Sequence, residues 1–135
     1  MLKWRHSKKT VKKKILIVDD EPNIVRTVGD RLKMSGYHVT VATDGQEAIE
    51  RALQEKPDVI LLDVLMPKLD GHATLERLRQ MEETKSVPVI MLTARSQVED
   101  VVRASSMGAT DYVVKPFDLV ELLEKIKSAL SRKKD

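Results

Sequence analysis

Five times along the chain a short, β-rich apolar run gives way to a segment whose apolar residues recur at helical spacing. The runs are Lys14 to Asp19, then Tyr37, Val39 and Val41, then Val59 to Leu62 leading into Asp63, Val87 to Leu92 ending at Thr93, and Tyr112 to Val114. Ile24, Val25, Val28 and Leu32 predict a first helix from Pro22 to Ser35, with proline in its first turn and Gly36 at its end. Ala48, Ile49, Ala52 and Leu53 predict a second, after an Asp44-Gly45 turn and before Pro57, and Leu75, Leu78 and Met81 a third. Val98, Val101, Val102 and Ser105 outline a fourth closed by Gly108, and Leu119, Leu122, Leu123, Ile126, Ala129 and Leu130 form the stripe of the last. Strands separated by whole helices are parallel neighbours joined by crossovers, and sheets covered on both faces have strands that read as unbroken apolar runs. The expected fold is therefore α/β, a doubly wound (βα)5 five-stranded parallel sheet, for which strand order 2-1-3-4-5 is the flavodoxin-like arrangement. Ligands of such sheets meet the carboxyl ends of the strands, beside the switch point between strands 1 and 3.

The chain of 135 residues suits one domain, and its 41% hydrophobic and 33% charged residues suit a packed core. It has no cysteine, which excludes disulfides and thiolate chemistry. Apolar runs of four residues are too short for a transmembrane segment or a signal-peptide core, and a cytoplasmic setting is expected. Seven of the 24 basic residues lie before Ile15 with no acid among them, which leaves 17 basic against 21 acidic residues in the body. The expected organisation is a flexible basic arm over residues 1–12, a domain over 13–132 and a short tail over 133–135. The arm is read as solvated, with an anionic partner as the other reading. An acidic body with few aromatic residues argues against nucleic-acid binding by the domain.

In this fold the end of strand 1 delivers Asp19 and Asp20, strand 3 delivers Asp63, strand 4 Thr93 and strand 5 Lys115, all to one rim. Clustered carboxylates repel one another unless a cation neutralises them, and an all-oxygen site with room for water suits Mg²⁺, with Mn²⁺ an alternative. Each feature has a plainer reading beside this one. Asp19, Asp20 and Glu21 would also favour a helix N-terminus through its dipole. Asp70-Gly71 reads as a turn and helix entry without chemistry. His6, His38 and His72 share no metal-ligand spacing, and Met34, Met66, Met81, Met91 and Met107 read as core or loop packing.

The segments "VDDEP", "LLDVLMPKLDG", "LTA" and "GATDYVVKPF" together resemble, in order and spacing, the CheY-like receiver domain of two-component response regulators. The strand order given above rests on this resemblance as much as on the pattern. The resemblance implies that Asp63 accepts a phosphoryl group from a sensor histidine kinase or a histidine phosphotransfer protein. It implies that Asp20 and Asp63 bind Mg²⁺ with the backbone carbonyl of Leu65, and Asp19 through water. Lys115 would pair with Asp63 and then with the phosphoryl group, after a cis bond to Pro116. Thr93, with space left by Ala94, would bind a phosphoryl oxygen, and Tyr112 would follow it inward. That movement would switch the surface of the fourth helix, fifth strand and last helix for a downstream protein, with a phosphorylation-dependent dimer as one outcome. Asp111 and Lys125 are candidates for pairing there, although Val101 stands where dimerising relatives often carry a basic residue. An apolar Leu65 offers no group to orient water, so slow dephosphorylation is expected.

The expected role is a phosphorylation switch rather than an enzyme in its own right, assisting only transfer to and hydrolysis from its own Asp63. With no DNA-binding domain after the last helix, the chain reads as a stand-alone receiver, the alternative being a receiver excised from a larger regulator or hybrid kinase. A haloacid-dehalogenase-like phosphatase also uses a nucleophilic aspartate, but requires Asp-x-Asp where Asp63 is here followed by Val64 and Leu65.

Overall fold

A computed structural model of the chain describes residues 12–64, 70–94, 99, 102, 106 and 108–134. All but the last residue of the expected arm over residues 1–12, the Leu65 carbonyl and most of the predicted fourth helix lie outside the described residues. Among those described, the elements run β1 (Lys14–Val18), α1 (Pro22–Met34), β2 (His38–Ala42), α2 (Gly45–Glu55), β3 (Val59–Asp63), α3 (Gly71–Gln80), β4 (Val89–Ala94), β5 (Asp111–Lys115) and α4 (Leu119–Lys134). The last of these is the fifth helix that the spacing predicts. The strands form one parallel sheet in the order β2-β1-β3-β4-β5.

Side chains alternate across a strand, and that alternation sorts the core into two layers. Ile15, Ile17, Val59, Leu61, Ile90 and Val113 face α1 and α4, meeting Val28, Leu32, Leu122 and Ile126. Leu16, Val18, Ile60, Leu62 and Met91 face α2 and α3, meeting Ala48, Ala52, Leu75 and Leu78. β1, β3 and all of β4 but its last residue are buried nearly throughout, because each has a helix layer on either side. β2 has one neighbouring strand only and stays half-open.

The starts of α2 and β4 differ from expectation for identifiable reasons. α2 starts at Gly45 rather than after a separate turn, since Asp44 is its N-cap and accepts from the Glu47 N–H at 2.8 Å. α2 ends at Glu55, before Pro57 as expected, with Lys56 as its C-cap in the left-handed conformation (φ 52°) where glycine is more usual. β4 starts at Val89 because Pro88 has no N–H to give a ladder, although its carbonyl accepts from the Ile60 N–H at 2.9 Å. Met34 is corrected from core filling to an exposed position, at 83% accessibility, because it lies two residues beyond Leu32 and so turns away from the packed stripe.

Candidate functional site: a carboxylate cluster with one lysine

Asp19 follows β1 directly, and its N–H still pairs with the Ala42 carbonyl of β2 at 3.1 Å, so its position is set by the sheet. Asp63 is the last residue of β3, and Lys115 the last of β5. By strand alternation Asp63 continues the row of Val59 and Leu61, Lys115 that of Val113, and Asp19 that of Ile15 and Ile17. All three thus belong to the face covered by α1 and α4. The strand ends carry them to one rim, where oxygens of Asp19, Asp20 and Asp63 lie within 4.8 Å of one another. Asp19 and Asp63 are buried and Asp20 is exposed.

The donor set passes a simple chemical test for a divalent cation. It is all oxygen, it carries three formal negative charges, and one member opens to water, as a hard, partly hydrated ion requires. Among the described residues no other group of acidic or histidine side chains is so arranged. His38 is exposed, and His72 keeps a buried Nε2 with no partner.

Lys115 Nζ donates to Glu21 Oε1 at 2.7 Å, to Asp19 Oδ2 at 3.0 Å and to Asp63 Oδ1 at 3.4 Å. Partial burial disfavours its charge, but the carboxylates of Glu21, Asp19 and Asp63 outweigh that and hold its pKa above the ordinary lysine value. The expected pairing of Lys115 with Asp63 is thus present, as the longest of three contacts. The shortest of the three goes to Glu21, a residue whose place in sequence points only to a helix start. Glu21 is the N-cap of α1, yet its side chain makes no capping bond and turns to the lysine instead. Pro22 at N1 leaves in place the N2 and N3 N–H groups that such a cap would serve, so no local signal marked this choice. The Lys115-Pro116 peptide bond is cis.

Asp70 caps α3 by accepting from the Ala73 N–H at 2.8 Å, as a helix entry should. Behind it, Gly71 lies so close to the acid that a Cβ there would strike the Asp63 carbonyl oxygen, with Val64 Cα 2.8 Å away. Thr93 is fully buried and belongs to the opposite row, that of Met91. Its hydroxyl donates to the Ala94 carbonyl at 3.1 Å rather than to a carboxylate of the site. Tyr112, beside Met91 in the ladder, packs on that same layer. Lys125 holds it from the α4 side, donating to the Tyr112 carbonyl at 2.7 Å and to Asp111 Oδ1 at 3.1 Å. The Asp111–Lys125 pair thus forms within one chain.

The profile described as "Response regulator receiver domain" matches residues 15–127. The chain is 44% identical over 119 residues to "DNA-binding dual master transcriptional regulator RpaA" of a Synechocystis strain, covering 88% of this chain and 49% of that protein. It is 46% identical over 120 residues to "Alkaline phosphatase synthesis transcriptional regulatory protein PhoP" of Bacillus subtilis, covering 89% and 49%. The chain therefore spans about half the length of these curated relatives. Among solved structures, the chemotaxis response regulator CheY4 of Vibrio cholerae superposes with a TM-score of 0.83 at 35% identity, covering 89% of this chain and all of that one. These matches do not favour the haloacid-dehalogenase-like reading. A five-stranded sheet in the order 2-1-3-4-5, an acidic rim with one lysine, and a profile match over most of its length place this chain in the response regulator receiver domain family.

Proposed function

We propose that Asp63 is the phosphoacceptor of this receiver domain, and the observation that carries the reading is its place at the end of β3 between two further aspartates and Lys115. A carboxylate oxygen of Asp63 attacks the phosphorus of a phosphohistidine on a histidine kinase or phosphotransfer protein. The P–N bond breaks, its electron pair returns to the imidazole, and a mixed anhydride forms on Asp63. Asp20 and Asp63, with Asp19 through water and the Leu65 carbonyl, would hold Mg²⁺ or Mn²⁺, which supplies charge neutralisation at the equatorial phosphoryl oxygens. Lys115 supplies a fixed positive charge at the same oxygens.

Thr93, with Ala94 leaving space beside it, is the reader of the phosphoryl group, and Tyr112 follows it within their shared layer. The populations of two conformations then shift at the surface that β5 and α4 share with the predicted fourth helix. A downstream protein reads that surface, or a second copy of the chain does. Water attack on the anhydride is slow, because Leu65 offers no side chain to orient it. The curated relatives are named as transcriptional regulators, and what the rest of their length does is not carried over.

The test is incubation with Mg²⁺ and acetyl phosphate followed by intact mass, with Asp63→Asn as control. A gain of one phosphoryl group in the wild type and none in the variant is expected. Equal gain in both, or gain in neither, overturns the assignment.

A further inference from the structure

Lys115 has three N–H donors, and three carboxylates already engage them: Glu21 at 2.7 Å, Asp19 at 3.0 Å and Asp63 at 3.4 Å. An ammonium so committed has no donor left for a new oxygen, and it sits nearer to Glu21 than to the acid it is meant to serve. Two of its partners cannot be released cheaply. Asp19 is fully buried, so loss of its ion pair would leave a desolvated charge uncompensated, and Asp63 is itself the reacting group. Glu21 differs, because its side chain is 58% exposed and water can take over its carboxylate. Its backbone is nonetheless fixed to the site, since its N–H donates to Asp19 Oδ1 at 2.9 Å.

We infer that Glu21 is a positioning residue that holds Lys115 back in the resting state and is the partner the lysine gives up when a phosphoryl group arrives on Asp63. The inference rests on the phosphoacceptor reading above and concerns the regulation of that same site. Phosphoryl transfer raises the charge carried by Asp63 from about −1 to about −2, so the lysine is drawn inward and Glu21 is repelled outward. Glu21 thereby favours the unphosphorylated arrangement and slows entry into the other.

The experiment uses the full chain with Glu21→Gln and Glu21→Asp. Three quantities are measured: Mg²⁺ affinity by calorimetry, affinity for beryllofluoride as a stable phosphoryl mimic at saturating Mg²⁺, and the initial rate of phosphorylation by acetyl phosphate. Release of an exposed ion pair predicts that Glu21→Gln binds beryllofluoride and takes up phosphoryl about two- to five-fold better. Mg²⁺ should bind more weakly to the same variant, because the freed lysine moves toward the carboxylates that would hold the ion. These opposite movements are not what a purely structural role would give, and thermal stability should change little at so exposed a position. Glu21→Asp keeps the charge but draws the carboxylate back from the lysine, so it should follow the glutamine variant. If it follows the wild type, the effect is one of overall charge and the inference is overturned. It is overturned equally if Glu21→Gln leaves both phosphoryl measurements unchanged or lowers them. A wild-type chain that accepts neither phosphoryl nor beryllofluoride instead overturns the phosphoacceptor reading beneath it.

Discussion

At the scale of single residues, the space behind Asp63 is governed by Gly71. Its N–H donates to the Val64 carbonyl at 2.9 Å, and a Cβ would lie 2.8 Å from Val64 Cα and collide with the Asp63 carbonyl. The obstacle is backbone, which cannot swing aside as a flexible side chain would. Gly71→Ala should therefore destabilise the protein by about 1–3 kcal/mol, the usual cost of overpacking, and should reduce phosphorylation of Asp63 by shifting the end of β3. Chemical denaturation and intact mass would check both, and an unaltered midpoint would contradict the expectation. Asp19, Asp20, Asp63 and Lys115 were legible from sequence because each follows an apolar run whose end the fold sends to one rim. Glu21 was not, because the direction of an exposed side chain at a helix start depends on which long-range partner is near. Here that partner is 94 positions away in sequence.

At the scale of elements, the ends of α2 and α3 carry the informative strain and polar satisfaction. Lys56 caps α2 with a positive φ of 52°, a conformation that costs a side-chain-bearing residue about 1 kcal/mol or more. Lys56→Gly should raise stability by up to about 1 kcal/mol, the gain being trimmed by the extra freedom of the unfolded chain. A lower thermal midpoint would refute it. Arg79, near the end of α3, donates through Nε and Nη2 to the Gly108 carbonyl at 2.9 and 2.8 Å and through Nη1 to the Thr84 carbonyl at 3.1 Å. Burial lowers its pKa, and Gly108 (φ 113°) leaves room for the guanidinium. Arg79→Met keeps the stem but strands two carbonyls, so a loss of about 1–3 kcal/mol is expected, measured as a shift in denaturation midpoint. The order of strands and helices was readable because periodicity reports burial directly. Exact ends were less so: a left-handed lysine and an arginine tie across 29 positions leave no mark in local pattern.

At the scale of the whole molecule, charge balance at the rim ties stability to function. The pKa of Lys115 is raised from its ordinary 10.5 in the folded state, so the stability it contributes is fully present below that value and is lost only as pH climbs through the folded pKa. Lys115→Met should cost about 1–3 kcal/mol or somewhat more by leaving buried Asp19 without its cation, and between about pH 6 and pH 9 that deficit should stay constant. Added Mg²⁺ should recover part of it by neutralising the same carboxylates, and thermal melts with and without the ion would show whether it does. A deficit that vanished within that pH range would mean that the lysine titrates far lower than its surroundings imply. No helix among the described residues is long and apolar enough to cross a membrane.

The two-sided arrangement of the sheet has a further consequence. Asp19, Asp63 and Lys115 belong to the layer of α1 and α4, whereas Thr93 and Tyr112 belong to that of α2 and α3. On the phosphoacceptor reading proposed above, the sheet would stand between the acids that take the group and the two residues that report it, which would meet only at the rim. On that reading, substitutions in the acid layer would chiefly retune capture of the group, and those in the Thr93 layer its readout. Such a division would let one scaffold diversify its timing and its audience along largely separate routes.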